Sequence, residues 1–174
     1  MSEPSTAYGD NPTLPALRRH FEDLRDGTHG GVEARADKEE RFADTVVLLA
    51  PYARRVLAEI DRSLLEGTGR VDESGLCRTE DGGLAASWTL SWPEQRAAGV
   101  RPITLEAHFE RGFHHPHLRG ATVGEWPLNV FTDQQAAAEV CTMRAVAAAD
   151  LHNLVFQRDY RLVPAITRPG PRDG

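Results

Sequence analysis

The chain has 174 residues, which is room for one domain with its own core plus tails. Lys and Arg number 20 against 26 Asp and Glu, a net charge of −6, and a domain that grips phosphate backbones usually carries a basic excess, so nucleic acid is excluded as the expected partner. No run approaches the roughly 18 consecutive apolar residues of a membrane-spanning helix. The opening MSEPSTAYGDNP has neither the basic start nor the apolar core of a secretory signal, and two cysteines, Cys77 and Cys141, cannot build a disulfide framework. The class expected from these facts is a cytoplasmic domain. Lys38 is the only lysine; a GC-rich, bacterial coding sequence is the simplest cause, because arginine codons accommodate G and C.

Residues 1–13 hold little to bury and are expected to be disordered. Leu14, Leu17, Phe21 and Leu24 then follow at spacings of 3, 4 and 3, which lines one face of a short amphipathic helix over 14–26. Thr13 suits its N-cap, Pro15 its first turn and Gly27 its stop. A helix of about three turns does not hold itself in water, so these four residues are the expected partner-binding face. Residues 27–36, GTHGGVEARA, read as a linker, so residues 1–36 form a flexible tail ahead of a single domain over 37–165.

The domain opens with helical periodicity over 37–66, carried by Phe42, Val46, Leu49, Ala53, Val56, Ile60 and Leu64. Pro51 either kinks it or opens a second helix. From Leu76 the period changes to two. Residues 76–79 and 84–92 flank Glu80-Asp81-Gly82-Gly83, a hairpin signal. Residues 93–101 form a connection. Ile103, Leu105, Ala107 and Phe109 alternate with polar residues as in a half-buried strand, and 128–131 could add another. Thr132 and Gln135 form a capping box for a helix whose buried face is Ala136, Val140, Met143, Ala147, Leu151 and Leu154, ending near Asn153. Residues 157–163 are a last strand or a helical extension, and 166–174 a disordered tail. Helices flanking an antiparallel meander make the class α+β.

Chemistry is sparse. Phe113-His114-His115-Pro116-His117 puts three of seven histidines within four residues, and imidazole is the commonest metal ligand. In an extended segment His115 and His117 point one way and His114 the other, so a zinc-like site on His114, His115 and His117 needs ligands from elsewhere, such as Glu125, Asp133 or His152. Hydrogen bonds from these rings to backbone carbonyls are the plainer alternative. Cys77 and Cys141 are expected as small buried hydrophobes, and Trp88, Trp92 and Trp126 as core aromatics.

A helix, a meander with tryptophan in its second strand, a His-Pro-x loop and a closing helix together resemble the ubiquitin-conjugating enzyme (UBC-like) family, with its UEV and RWD relatives. His115-Pro116-His117 is similar to the family's His-Pro-Asn motif. Gly124-Glu125-Trp126-Pro127-Leu128-Asn129-Val130-Phe131 is similar to its Gly-x-Ile-Cys-Leu-Asp-Ile-Leu stretch. In a second register Phe113-His114-His115-Pro116 falls on the family's Tyr-Pro-x-x-Pro turn. The resemblance spans about residues 70–150. It implies that Pro127 stands where the catalytic cysteine would, without a thiol, and that His117 replaces the oxyanion-supporting asparagine. The expectation is a non-catalytic interaction or scaffold subunit of a larger assembly, without cofactor, partnered by another protein or by a second copy. The alternative is a metal-dependent enzyme, or an accessory to one, using the histidines and a transition metal such as zinc.

Overall fold

A computed structural model describes residues 13–167; residues 1–12, part of the expected N-terminal tail, and 168–174, most of the expected C-terminal one, lie outside the described residues. The class is α+β. Helix α1 (Thr13–Asp26) leads into α2 (Arg35–Leu64), then β1 (Arg70–Glu73), β2 (Cys77–Arg78), β3 (Leu84–Ser91), α3 (Pro93–Ala98), β4 (Ile103–Phe109), β5 (His117–Arg119) and β6 (Trp126–Pro127). Helices α4 (Asp133–Ala138) and α5 (Val140–Gln157), a 3-10 turn at Tyr160–Leu162 and α6 (Pro164–Thr167) close the chain.

The sheet is an antiparallel meander in the order β1-β3-β4-β5-β6, with β2 beside β3. Along β3 burial alternates, and Leu84, Ala86, Trp88 and Leu90 face inward, as a strand with one covered face requires. Helices α2 and α5 pack on that face and on each other. Phe42, Leu49, Val56, Leu57, Leu105, Phe109, Met143 and Val146 are fully enclosed between them. Helix α2 runs unbroken through Pro51, which is exposed. The hydrogen bond this proline deletes is on the solvent side, where the preceding-turn carbonyl belongs to Val47, itself 74% exposed.

Several elements depart from the sequence pattern. Strand β1 is missed because Arg70–Glu73 is largely solvent-facing. The 93–101 connection contains α3, held by Gln95, whose Oε1 accepts from Trp92 N and whose Nε2 donates to Val100 O. Strand β4 is covered on both faces: Thr104 and His108 are buried with the apolar residues, because the 113–125 segment folds over them. Residues 128–131 are not a strand; pairing stops at Pro127. Thr132 Oγ1 accepts from Gln135 N as a cap should, but the helix resets at Glu139. Helix α5 runs past the expected end near Asn153 to Gln157, and Tyr160–Leu162 then form the 3-10 turn rather than a strand. Ile166 and Thr167, placed in the disordered tail, belong to α6. Cys77 and Cys141 are exposed, not buried: the first lies on the narrow outer strand and the second on the solvent side of α5. Trp88 and Trp92 are core residues, whereas Trp126 is half-buried.

Gly83 closes the β2–β3 hairpin against the end of β4. A Cβ there would stand 2.5 Å from the Phe109 carbonyl oxygen and 2.9 Å from Glu110 Cα. Backbone cannot retreat as a flexible side chain does, so Gly83→Ala is expected to lower the unfolding free energy by about 1–3 kcal/mol, read as a lower urea midpoint at unchanged slope.

Candidate functional site

The stretch His114-His115-Pro116-His117 sits in the β4–β5 connection, and one arginine fixes that connection. Arg35, at the start of α2, stacks 3.6 Å over the Phe109 ring. It donates from Nη2 to Phe109 O at 3.0 Å and from Nη1 to Phe113 O at 2.8 Å. The turn is thereby held over β4, and the chain bends at His114 and His115 before entering β5 at His117. His114 is exposed, His115 is buried at 4% exposure, Pro116 is buried and His117 is half-buried. His115 and Pro116 are thus less exposed than Arg119, although the loop is bent at His114 and His115 rather than extended.

Three further histidines come to this place from elsewhere in the sequence. His20, on α1, meets His115 edge to face with ring centroids 5.0 Å apart and lies 6.5 Å from His117. His29, in the turn before α2, is 5.9 Å from His115 and 4.8 Å from Phe131. His108, on β4, is 5.9 Å from His117. The result is a seam of five rings in the order His29, His115, His20, His117 and His108, running between α1 and the sheet edge. His114, grouped with the others by sequence, stays outside, and His152 stacks on Phe156 instead.

The seam is short of hydrogen bonds. Both ring nitrogens of His29, and Nδ1 of His108, His115 and His117, are buried without a hydrogen-bond partner among the described residues. Carboxylates stand beside two of the rings: His108 has Glu125 Oε2 2.9 Å from Nε2 and Glu110 Oε1 3.4 Å from Nδ1, and His29 Nδ1 lies 3.9 Å from Asp23. Burial removes water from these rings and disfavours their charged form. It pushes His29 down to about 4, against the pull of Asp23. Burial, then the neighbouring His20, pushes His115 down to about 4. His20 and His117 are lowered as well, burial again being the main cause.

Of the ligands that sequence reasoning offered, Glu125 reaches His108, while Asp133 accepts from the Tyr52 hydroxyl at 2.9 Å. Among the described residues no group of three or more His, Cys, Asp or Glu is placed to hold a metal ion. Pro127 pairs with His117 across β5 and β6.

Three of the four partner-binding candidates lie on the outer side of α1, and the fourth, Leu17, turns partly toward the domain. Leu14, Phe21 and Leu24 are 60%, 59% and 50% exposed, and Leu17 is half-buried near Trp126 and Pro127. No residue of α1 is fully buried. Its inward side is polar. Arg19 donates from Nε to Asn129 Oδ1 at 2.8 Å and from Nη2 to Asn129 O at 2.9 Å, and Asn129 Nδ2 donates to Asp23 Oδ2 at 2.9 Å. Asp23 also accepts from Thr28 Oγ1 at 2.7 Å.

The expected linker after α1 is consequently a folded turn. His29 and Val32 pair through their backbones, His29 is 1% exposed, and Gly30, at φ +59°, sits where a Cβ would strike the Phe131 ring at 2.6 Å. Sequence reasoning missed Arg19, His20, Asp23, His29, Arg35 and Asn129. Their one legible signal is that Arg19 and Asp23 fall four apart, opposite the leucine stripe. Comparison with family models, with curated proteins and with solved structures returns no match.

Proposed function

We propose that this protein is a non-catalytic interaction or accessory subunit that docks another protein on the outer face of α1, in the cytoplasm. One observation carries the reading: α1 is amphipathic, yet it turns its polar side, Arg19 and Asp23, toward the domain and leaves Leu14, Phe21 and Leu24 outside. Burial of a large apolar side chain is worth about 1.5–3 kcal/mol, so a helix packing only on its own domain would place these residues inward. A contiguous stripe of this kind suits a helix laid into an apolar groove of a partner. Arg18, Glu22 and Arg25 border the stripe, Arg18 paired with Glu22 at 3.0 Å and Arg25 with Asp26 at 2.7 Å, so charges of both signs rim the apolar face. The UBC-like resemblance agrees with this reading, since Pro127 can form no thioester. No helix of the described residues is long and apolar enough to cross a membrane.

The test is Phe21→Asp. Residue 21 is exposed, so stability is expected to change by no more than about 0.5 kcal/mol, while a complex isolated from the native host through the wild-type chain is lost with the variant. A melting temperature lowered by several degrees, with the complex intact, would assign α1 to the protein's own core and defeat the proposal. A wild-type chain that dimerises by light scattering through Phe21 would replace the foreign partner with a second copy.

A further inference from the structure

Five of the seven histidines line one seam, and α1 is held to the domain by nothing apolar except the half-buried Leu17 and Ala16. Its attachment is the Arg19–Asn129–Asp23 clasp and the contact of His20 with His115 and His117. Rings packed 5.0–6.5 Å apart are compatible with each other only while most are uncharged, because like charges at such distances repel. We infer that the seam is a pH-responsive latch: uncharged, it lets α1 lie on the sheet edge, and protonated, it releases α1 together with its apolar stripe. This regulates the docking face proposed above and rests on that reading only for its consequence, since the latch acts within the chain.

The groups around the seam set the sign. On α1, Asp23 stands 3.9 Å from His29 Nδ1 and favours the charged ring, while Arg19 is bound to Asn129. From α2, Lys38 opposes charge on His29 and His115. From the β4–β5 connection, the exposed His114 opposes charge on His115; from the β5–β6 connection, Glu125 favours it on His117 and stands 2.9 Å from His108 Nε2, and Glu110, just past β4, stands 3.4 Å from His108 Nδ1. At the start of α5, buried Glu139 is raised by desolvation, so on acidification it gives up the charge that faces Arg19. Burial outweighs Asp23 and Glu125 at His29, His115 and His117. The docked form therefore binds fewer protons than the released form. Docking is at full strength above the ordinary histidine value of about 6.5 and weakens as pH falls from there toward about 4. At pH 5 each fully released buried ring shifts the equilibrium toward release by about thirtyfold. A free helix of this length does not persist in water, so release and unwinding coincide.

Hydrogen exchange reads this directly on the full chain in buffer containing EDTA, with no partner present. Between pH 7.5 and pH 5, after correction for intrinsic exchange, protection of residues 13–26 is expected to fall at least tenfold while residues 140–157 keep theirs. Replacing both buried rings, His29→Gln with His115→Gln, is expected to remove most of the pH dependence, and Asn129→Ala to lower protection of α1 already at pH 7.5. Unchanged protection of α1 at pH 5 overturns the latch, and so does equal loss in α1 and α5 in the wild type, which is global acid unfolding. The wild-type comparison stands even if the double variant does not fold. Loss of the latch leaves the Phe21→Asp result untouched, and the converse holds, so the two readings fail separately.

Discussion

Replacing Asp150 by alanine is expected to lower the unfolding free energy by about 2–5 kcal/mol. Asp150 lies on α5 with no exposed surface. One carboxylate oxygen accepts from Thr104 N at 3.0 Å, and the other from Thr122 N at 2.8 Å and Thr122 Oγ1 at 2.6 Å. It therefore joins three things the sequence keeps apart: the closing helix, the start of β4 and the 120–124 loop that leads into β6. Removing it strands a buried backbone N–H at Thr104 and frees the loop, and no nearby group replaces the lost acceptor. Asp150→Asn retains one acceptor oxygen and should cost less than alanine. Equilibrium urea unfolding measures both. An alanine variant within about 0.5 kcal/mol of wild type would mean that the carboxylate organises nothing.

Trp92→Ala is expected to cost about 3–5 kcal/mol. The indole is fully enclosed at the end of β3, and its Nε1–H donates to the Leu162 carbonyl at 2.6 Å. The side chain both fills core volume and ties the C-terminal 3-10 turn to the sheet. Alanine leaves a cavity and an unpaired carbonyl together. Trp92→Phe keeps most of the volume and loses only the hydrogen bond, about 1–3 kcal/mol. The two contributions separate in one measurement series: if phenylalanine costs as much as alanine, the tether rather than the packing dominates. Exchange protection over 158–167 should fall in both variants.

The outcome for the histidines shows how far a sequence pattern reaches. Clustering of His114, His115 and His117 picked out a loop that contributes to the seam, because adjacency is legible in one dimension. Membership of the seam was not legible. His114 drops out because the chain bends there and leaves it in solvent, whereas His20, His29 and His108 enter from three other segments, up to 97 residues away from His117 in the sequence. That gathering depends on Arg35 folding the β4–β5 connection over β4. It depends equally on Asn129 clasping α1, and neither contact leaves a periodic trace. The exposed cysteines teach the same lesson. A small side chain on an apolar-looking run can face either way, and only the neighbouring elements decide which.

Local chemistry determined the α+β class, the long helix before the meander, the Asp81-Gly82 hairpin, the Thr132 cap and the amphipathic stripe of α1, because each follows from side-chain spacing along one segment. Tertiary structure decided which face of α1 turns outward. Amphipathicity states only that a helix has two faces. Which one the domain takes depends on the surface offered, and here that surface is polar: Asn129, His115 and His117 line it, and they select Arg19, His20 and Asp23. Leu14, Phe21 and Leu24 are left to solvent for that reason, and the same selection brings His20 into the seam.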